Sequence, residues 1–212
     1  MIIDMHMHEM RYSGDSFLRL ENMVEIAKRR GLDGICITDH DSMGLKEFAA
    51  EYSEKTGFPI FVGIEFYSLQ GDIVAFGIED YPKERIPAQE FVDLVQAQGG
   101  MCFSAHPFRN NNRGLEENLK IVKGLDGIEV LNGSTLYEAN RKAAEYAAEL
   151  GLATVGSSDC HVPEKLGLYA TYFPREIRSV QELIRSVKRC ETLPRSEEHT
   201  SELQSRDSIS YA

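Results

Sequence analysis

Short apolar runs rich in β-branched residues alternate with amphipathic stretches along most of this chain. That alternation limits its possible folds more than any other feature. The runs cover residues 2–5, 34–38, 60–64, 73–76, 101–104, 127–131 and 153–156, with a weaker one at 170–173. Runs this short and this continuously apolar suit strands buried on both faces. Between them, Leu20, Met23, Val24 and Ala27 recur at helical spacing until Gly31 stops the pattern. Residues 88–98 follow Pro87 and end at Gly99 and Gly100. Residues 136–150 end at Gly151, with Ala143, Ala147 and Leu150 on one stripe, and Val180, Leu183, Ile184 and Val187 mark a last helix. Strands separated by helices predict a mainly parallel sheet covered by helices. Residues 71–76 follow the third run too closely for a crossover helix, which predicts a hairpin partner. Roughly seven βα units in 212 residues predict an α/β protein with a small or distorted barrel, shorter than the usual eightfold barrel of about 250 residues.

Composition narrows the class. The chain is 42% hydrophobic, enough for a sizeable core, and a single domain suits the length. No apolar run approaches the roughly 20 residues of a membrane span, and no leader is recognisable. A cytoplasmic protein is expected, with no membrane partner. The formal charge of −11 argues against a stable nucleic-acid complex held by bulk electrostatics. It is compatible with a metal enzyme, whose ligands are themselves acidic. The cysteines, Cys36, Cys102, Cys160 and Cys190, form no C-x-x-C pair, so no disulfide framework is expected. Cys36 and Cys102 read as small core residues.

The end of the chain departs from the pattern. RSEEHTSELQSRDSISYA, residues 195–212, is polar and has neither helical nor strand periodicity. It reads as a disordered tail. Its first part also reads as the translation of a common sequencing-library adapter, which makes residues 195–212 a non-native segment and 1–194 the domain. His199 then carries no functional weight.

Five of the six histidines lie outside that tail: His6, His8, His40, His106 and His161. Each sits at the C-terminal end of an apolar run, in IIDMHMH, GICITDHD, MCFSAHP and ATVGSSDCH, and Glu65 ends another in FPIFVGIEF. In α/β folds the carboxyl ends of parallel strands gather on one face, where ligands bind. A core-packing account gives no reason for such a distribution. A spacing of two in an extended segment points the imidazoles of His6 and His8 the same way, and Asp159 and His161 repeat it. Imidazole and carboxylate together suit Zn, Mn or Fe, and a carboxylate such as Glu65 can bridge two ions.

The motifs DMHMH, YSGDS, ITDHD, GIEF, AHP and SSDCH, in that order, resemble the polymerase and histidinol phosphatase (PHP) family of metal-dependent phosphoesterases over nearly all of residues 1–194. The resemblance implies a distorted (β/α)₇ barrel with two or three divalent ions at the strand C-termini. It implies His6 and His8 as ligands of a first ion shared with Asp159, Glu65 bridging to a second ion held by His106, and Asp15, His40 and His161 on a third. Asp15 has an alternative as a polar loop residue ahead of the first helix. Asp39 and Asp41 flank His40 and are expected to orient it or hold a turn rather than bind metal. One departure stands out. Many members carry a further histidine in the hairpin after GIE, whereas this chain has GDIVAFG, leaving Asp72 as the substitute ligand or as an ordinary turn residue.

These residues imply hydrolysis of a phosphate ester, with a metal-bound water or hydroxide as nucleophile and Asp159 and His161 in the catalytic set. The expected substrate is a small phosphomonoester or nucleotide, with short oligonucleotide ends next. Arg109, three residues past His106, is the expected phosphate contact, and Arg113 reads equally well as a solvated loop residue. The rivals are a metal-dependent amidohydrolase, which also places H-x-H after a first strand, and a non-catalytic metal-binding or regulatory module.

Overall fold

The computed structural model describes residues 1–196. Its strands are β1 (Ile2–Asp4), β2 (Gly34–Ile37), β3 (Ile60–Val62), β4 (Ile64–Tyr67), β5 (Asp72–Phe76), β6 (Met101–Ser104), β7 (Gly127–Asn132), β8 (Ala153–Ser157), β9 (Tyr169–Tyr172) and β10 (Leu193–Ser196). The helices are α1 (Leu20–Arg29), α2 (Lys46–Thr56), α3 (Ala88–Ala97), α4 (Tyr137–Leu150) and α5 (Val180–Lys188).

The expected apolar runs all become strands. The run at 60–64 is broken at Gly63, whose Cβ position would lie 2.4 Å from the Ala75 carbonyl, so only glycine lets β3 turn into β4 there. α2 escapes the periodicity argument because Ala49 is its one buried residue. β10 runs through Arg195 and Ser196, which pair with Ala170 and Tyr169. The remainder of the expected tail, 197–212 with His199, lies outside the described residues.

The backbone ladders do not close into the single barrel expected. They form two five-stranded sheets, ordered β10-β9-β1-β2-β3 and β4-β5-β6-β7-β8. Nor is the pairing mainly parallel: β1-β2, β2-β3, β6-β7 and β7-β8 are parallel, while β5 and β9 run against both of their neighbours. The hairpin expected after the third run is present as β4-β5. Between β8 and β9 the Thr171 hydroxyl stands in for a ladder, accepting from Gly156 N at 3.0 Å and donating to Gly156 O at 2.8 Å. A side chain inserted there explains why the ladder breaks.

Side chains from both sheets nevertheless meet in one apolar cluster that includes Ile3, Cys36, Phe61, Val74, Phe103 and Val155. Leu183, Ile184 and Val187 of α5 join it, closing the end that holds Phe76 and Met101. A second cluster packs α3 and α4 on the outer face of the β4–β8 sheet, with Phe66 and Phe91 rings stacked at 4.1 Å. A third packs α1 and α2 on β1–β3. Burial of this kind contributes about 1.5–3 kcal/mol per large apolar side chain. Apolar packing therefore fills the middle and one end, and the C-termini of the forward strands are left to the polar residues. No helix among the described residues is long and apolar enough to cross a membrane.

Candidate metal centre

The polar end is assembled from strand termini and the loops that leave them. His6 and His8 follow β1, Asp39 and His40 follow β2, Glu65 lies in β4, His106 follows β6, and Asp159 and His161 follow β8. β5 is reversed, so its first residue, Asp72, arrives at the same end. Asp41, His106 and Asp159 have φ values of 49°, 27° and 48°, in the left-handed region that residues other than glycine rarely adopt. Such strain clusters at functional sites, where the surrounding structure holds it.

Glu65 is the hub. Its Oε1 lies 2.9 Å from His106 Nε2 and 3.3 Å from His6 Nε2, and its Oε2 lies 2.7 Å from His40 Nδ1 and 3.6 Å from His8 Nε2. Asp159 Oδ1 sits 3.2 Å from His8 Nε2 and 3.7 Å from His6 Nε2. Asp15 Oδ2 stands between His40 Nε2 at 3.3 Å and His161 Nε2 at 3.4 Å. The structure therefore gathers all the residues expected as ligands. Asp15, 60% exposed, forms the open edge, and Glu65, 1% exposed, the floor.

Other residues orient these side chains. Glu129 Oε1 accepts from His6 Nδ1 at 3.2 Å, and a carboxylate can only accept, so Nε2 is left to face the centre. His8 Nδ1 meets Ser13 Oγ at 3.2 Å, and Ser13 in turn donates to Asp39 Oδ1 at 2.7 Å. Asp39 thus acts on His8 through Ser13 rather than on the His40 ring. Asp41 Oδ1 accepts from Tyr67 N at 2.9 Å and holds the turn against β4. Glu129 was not singled out by sequence; its one signal is a carboxylate inside the apolar run GIEVLN. Asn132, from the same run, bonds Asp159 and Glu129.

The electrostatics suit a bound cation. Glu65, Asp72, Glu129 and Asp159 are all buried. Burial penalises charge on Glu65 and Asp159, yet His6 and the neighbouring hydrogen-bond donors hold both carboxyls well below the usual range. Burial depresses His8 to about 4, so its imidazole is neutral, the ligand form. For His40, burial opposes protonation, but the Glu65 carboxylate 2.7 Å from Nδ1, with Asp15, raises its pKa to about 9. His6 Nε2 and His8 Nε2 are 3.0 Å apart. Two ligands about 2.1 Å from one ion stand about 3.0 Å apart at a right angle and about 3.4 Å apart at the tetrahedral angle, so the pair is spaced closely enough to share an ion. Glu65 Oε2 and Asp72 Oδ1 are buried without a well-formed hydrogen bond, an arrangement whose cost a divalent ion would remove. Donor sets of three, each within 4.8 Å, comprise His8, His40 and His161; His6, His106 and Asp159; His6, His8 and Glu65; and Glu65, Asp72 and His106. The residues fit divalent metal.

Two arginines border the cavity. Arg109 donates from Nε to Thr135 Oγ1 at 3.1 Å and from Nη2 to Asn132 Oδ1 at 2.6 Å, and it also bonds Asp159 Oδ2. Arg113 donates from Nε to Asp72 Oδ2 at 2.6 Å. Asp72, on the hairpin where the expected histidine is absent, lies 3.7 Å from His106 Nε2.

Comparison with known proteins bears on the fold that carries these residues. Residues 137–192 match the model of a family described as PHP-associated. Among solved structures, a candidate metal-dependent phosphoesterase from Bifidobacterium adolescentis superposes with a TM-score of 0.67 at 18% identity, covering 87% of this chain and 96% of that one. An amidohydrolase from Chromobacterium violaceum, solved with bound sulfate and no metal, gives 0.67 at 19% identity, covering 92% and 98%. The lesion-specific endonuclease Q from Pyrococcus furiosus gives 0.70 at 17% identity over 88% of this chain, which spans 55% of that protein. At these identities the likeness is one of fold. The PHP-associated match is confined to residues 137–192, and over the rest of the chain the likeness is to the fold of these structures.

Proposed function

We propose that this protein is a metal-dependent phosphoesterase acting on small phosphomonoesters or nucleotides. One observation carries the reading: Glu65 lies within 3.6 Å of four imidazoles contributed by three separate strand ends, at the floor of one cavity. Two or three divalent ions (Mn, Zn or Fe) are assigned to His6, His8, Asp15, His40, Glu65, His106, Asp159 and His161. When bound, such ions make water acidic near neutral pH and neutralise charge on a phosphoryl group.

The chain's own residues divide the remaining work. Glu129 and the Ser13–Asp39 pair keep the His6 and His8 rings aimed inward. Asp159, held at Oδ2 by Arg109 and Asn132, offers Oδ1 as the acceptor for the proton of the attacking water. His161, 25% exposed, stands with Asp15 at the open edge, where it would hold an ion beside the leaving oxygen. The cavity, about 140 Å³ and lined by Asp15, Glu65, His106, Arg109, Arg113 and Asp159 among others, suits a phosphoryl group, with the organic part outside. The two sheets are read as halves of a distorted barrel, supported by their shared interior cluster and the Thr171 seam. Residues 195–212 are kept as adapter-derived, a reading that resequencing of the genomic locus tests.

The amidohydrolase reading is weaker because among the described residues no lysine lines the cavity to bridge two ions. The test is elemental analysis of the purified chain, followed by assay with Mn²⁺ on phosphomonoesters and short oligonucleotides, beside His8→Ala. The expected result is two or three metals and turnover that the variant loses. A chain that takes up no metal after reconstitution would overturn the proposal.

A further inference from the structure

The two arginines at the cavity differ in what their donors do. Arg109 spends Nε and Nη2 on Thr135, Asn132 and Asp159, and is 19% exposed. Its guanidinium is thereby tied to the wall that holds Asp159. Arg113 is 31% exposed, and of its guanidinium nitrogens Nε alone has a protein partner, Asp72 Oδ2. Among the described residues no acceptor meets its two terminal nitrogens.

Arg113 is also no loose loop residue. Its main-chain carbonyl accepts from Asp72 N at 2.7 Å, so backbone and side chain are both fixed to the start of β5. The guanidinium carbon lies 4.1 Å from the centre of the Tyr67 ring, which Arg85 also contacts at 3.6 Å. That stacking sets the plane of the fork. The loop is shaped for this placement. Asn111 Oδ1 accepts from Arg113 N at 3.1 Å, Asn112 takes φ 58°, and a Cβ on Gly114 would meet the Pro107 carbonyl at 2.0 Å. A preorganised fork with two free donors, facing a cavity floored by metal-ligating groups, matches two oxygens of a tetrahedral oxyanion.

We infer that Arg113 is the side chain that binds the substrate's phosphoryl oxygens, and that Arg109 is a positioning residue that fixes Asp159. This inference rests on the phosphoester reading for its substrate, but the anion contact itself is separable from turnover. Asp72 then serves Arg113 through Oδ2 and keeps Oδ1 for the ion beside His106, which gives the missing hairpin histidine a physical replacement.

The experiment compares wild type, Arg113→Met, Arg113→Lys and Arg109→Met, all loaded with Mn²⁺. The probe is inorganic phosphate, with its Kd read by calorimetry, and each protein is checked by elemental analysis and thermal melting. A phosphomonoester supplies KM and kcat. Arg113→Met should weaken phosphate and raise KM by about tenfold or more, the scale of a lost charge-assisted contact, with kcat and metal content little changed. Arg113→Lys should recover part of the loss, and it stands in if the methionine variant melts early. Arg109→Met should lower kcat with KM and phosphate affinity nearly kept. Phosphate affinity that falls in Arg109→Met but not in Arg113→Met or Arg113→Lys overturns the assignment, as does a wild type that binds no phosphate. Arg113-dependent phosphate binding without turnover would sink the proposed activity and leave this inference standing.

Discussion

The two ends of the same strands obey opposite rules. At one end Phe76, Met101 and Phe103 pack with Leu183 and Val187 of α5, fully buried and wholly apolar. At the other, buried carboxylates and imidazoles crowd within hydrogen-bond distance, on a backbone that is left-handed at Asp41, His106 and Asp159. The first end lowers free energy by removing apolar surface from water. The second end raises it, unless a cation is present. Stability and function are thus held at separate ends, joined by strands of three to six residues.

Substitutions at the two ends should therefore part company. Glu65→Ala is expected to abolish metal loading and cut phosphoesterase turnover by at least about a hundredfold, beyond the range for outer partners of a metal site. Its metal-free form should melt no lower than metal-free wild type, because a strained, charged site is released. Elemental analysis and melting curves with chelator check both. Phe103→Ala at the apolar end should do the reverse. It should lose about 3–5 kcal/mol of stability in urea unfolding, with metal stoichiometry kept in the folded fraction. If the two variants gave the same pattern, the division would fail.

Smaller effects sharpen it. Glu129→Gln keeps the shape of the contact to His6 but removes its charge, and should weaken Mn²⁺ by about 10–100-fold. Its melting temperature should also fall, because both Glu129 oxygens accept buried hydrogen bonds, from His6, Ser157, His106 and Asn132, and an amide NH2 cannot replace one of them. The pH dependence of metal binding probes the same end. In the metal-free protein His40 holds its proton up to about 9 because Glu65 and Asp15 outweigh burial. A metal must displace that proton, and also the one that Glu65, Asp159 and Glu129 hold on His6 against burial, so affinity should rise with pH through about 9. The slope should be up to about tenfold per unit for each proton released. Calorimetry in buffers of different ionisation enthalpy counts the protons. A flat profile would mean that the imidazoles are already neutral.

Most of the candidate site was legible because H-x-H, TDH, GIE, AHP and SDCH each put a polar residue where an apolar run stops. The supporting residues were harder to find. Glu129 sits inside β7, and no pattern in GIEVLN tells which face of the strand looks into the centre. Ser13 shares YSGDS with Asp15, yet its role depends on Asp39 arriving from another strand. α2 was missed because a helix with a single buried residue leaves no apolar stripe to read. In AHPFRNNNRG the spacing from His106 favoured Arg109 as the phosphate contact, whereas the acceptors of the two side chains favour Arg113.

By itself, the chain's sequence determined most of its strands and helices, the hairpin and the face on which the histidines collect. These follow from local periodicity and from the geometry of extended segments, which need only neighbouring residues. The tertiary structure alone decided that two sheets form where one barrel was expected, that β9 runs in reverse, that Glu129 and the Ser13–Asp39 pair stand behind His6 and His8, and which arginine has free donors. Each of these depends on distances between segments far apart in the chain, and such distances are set by packing rather than by spacing along it.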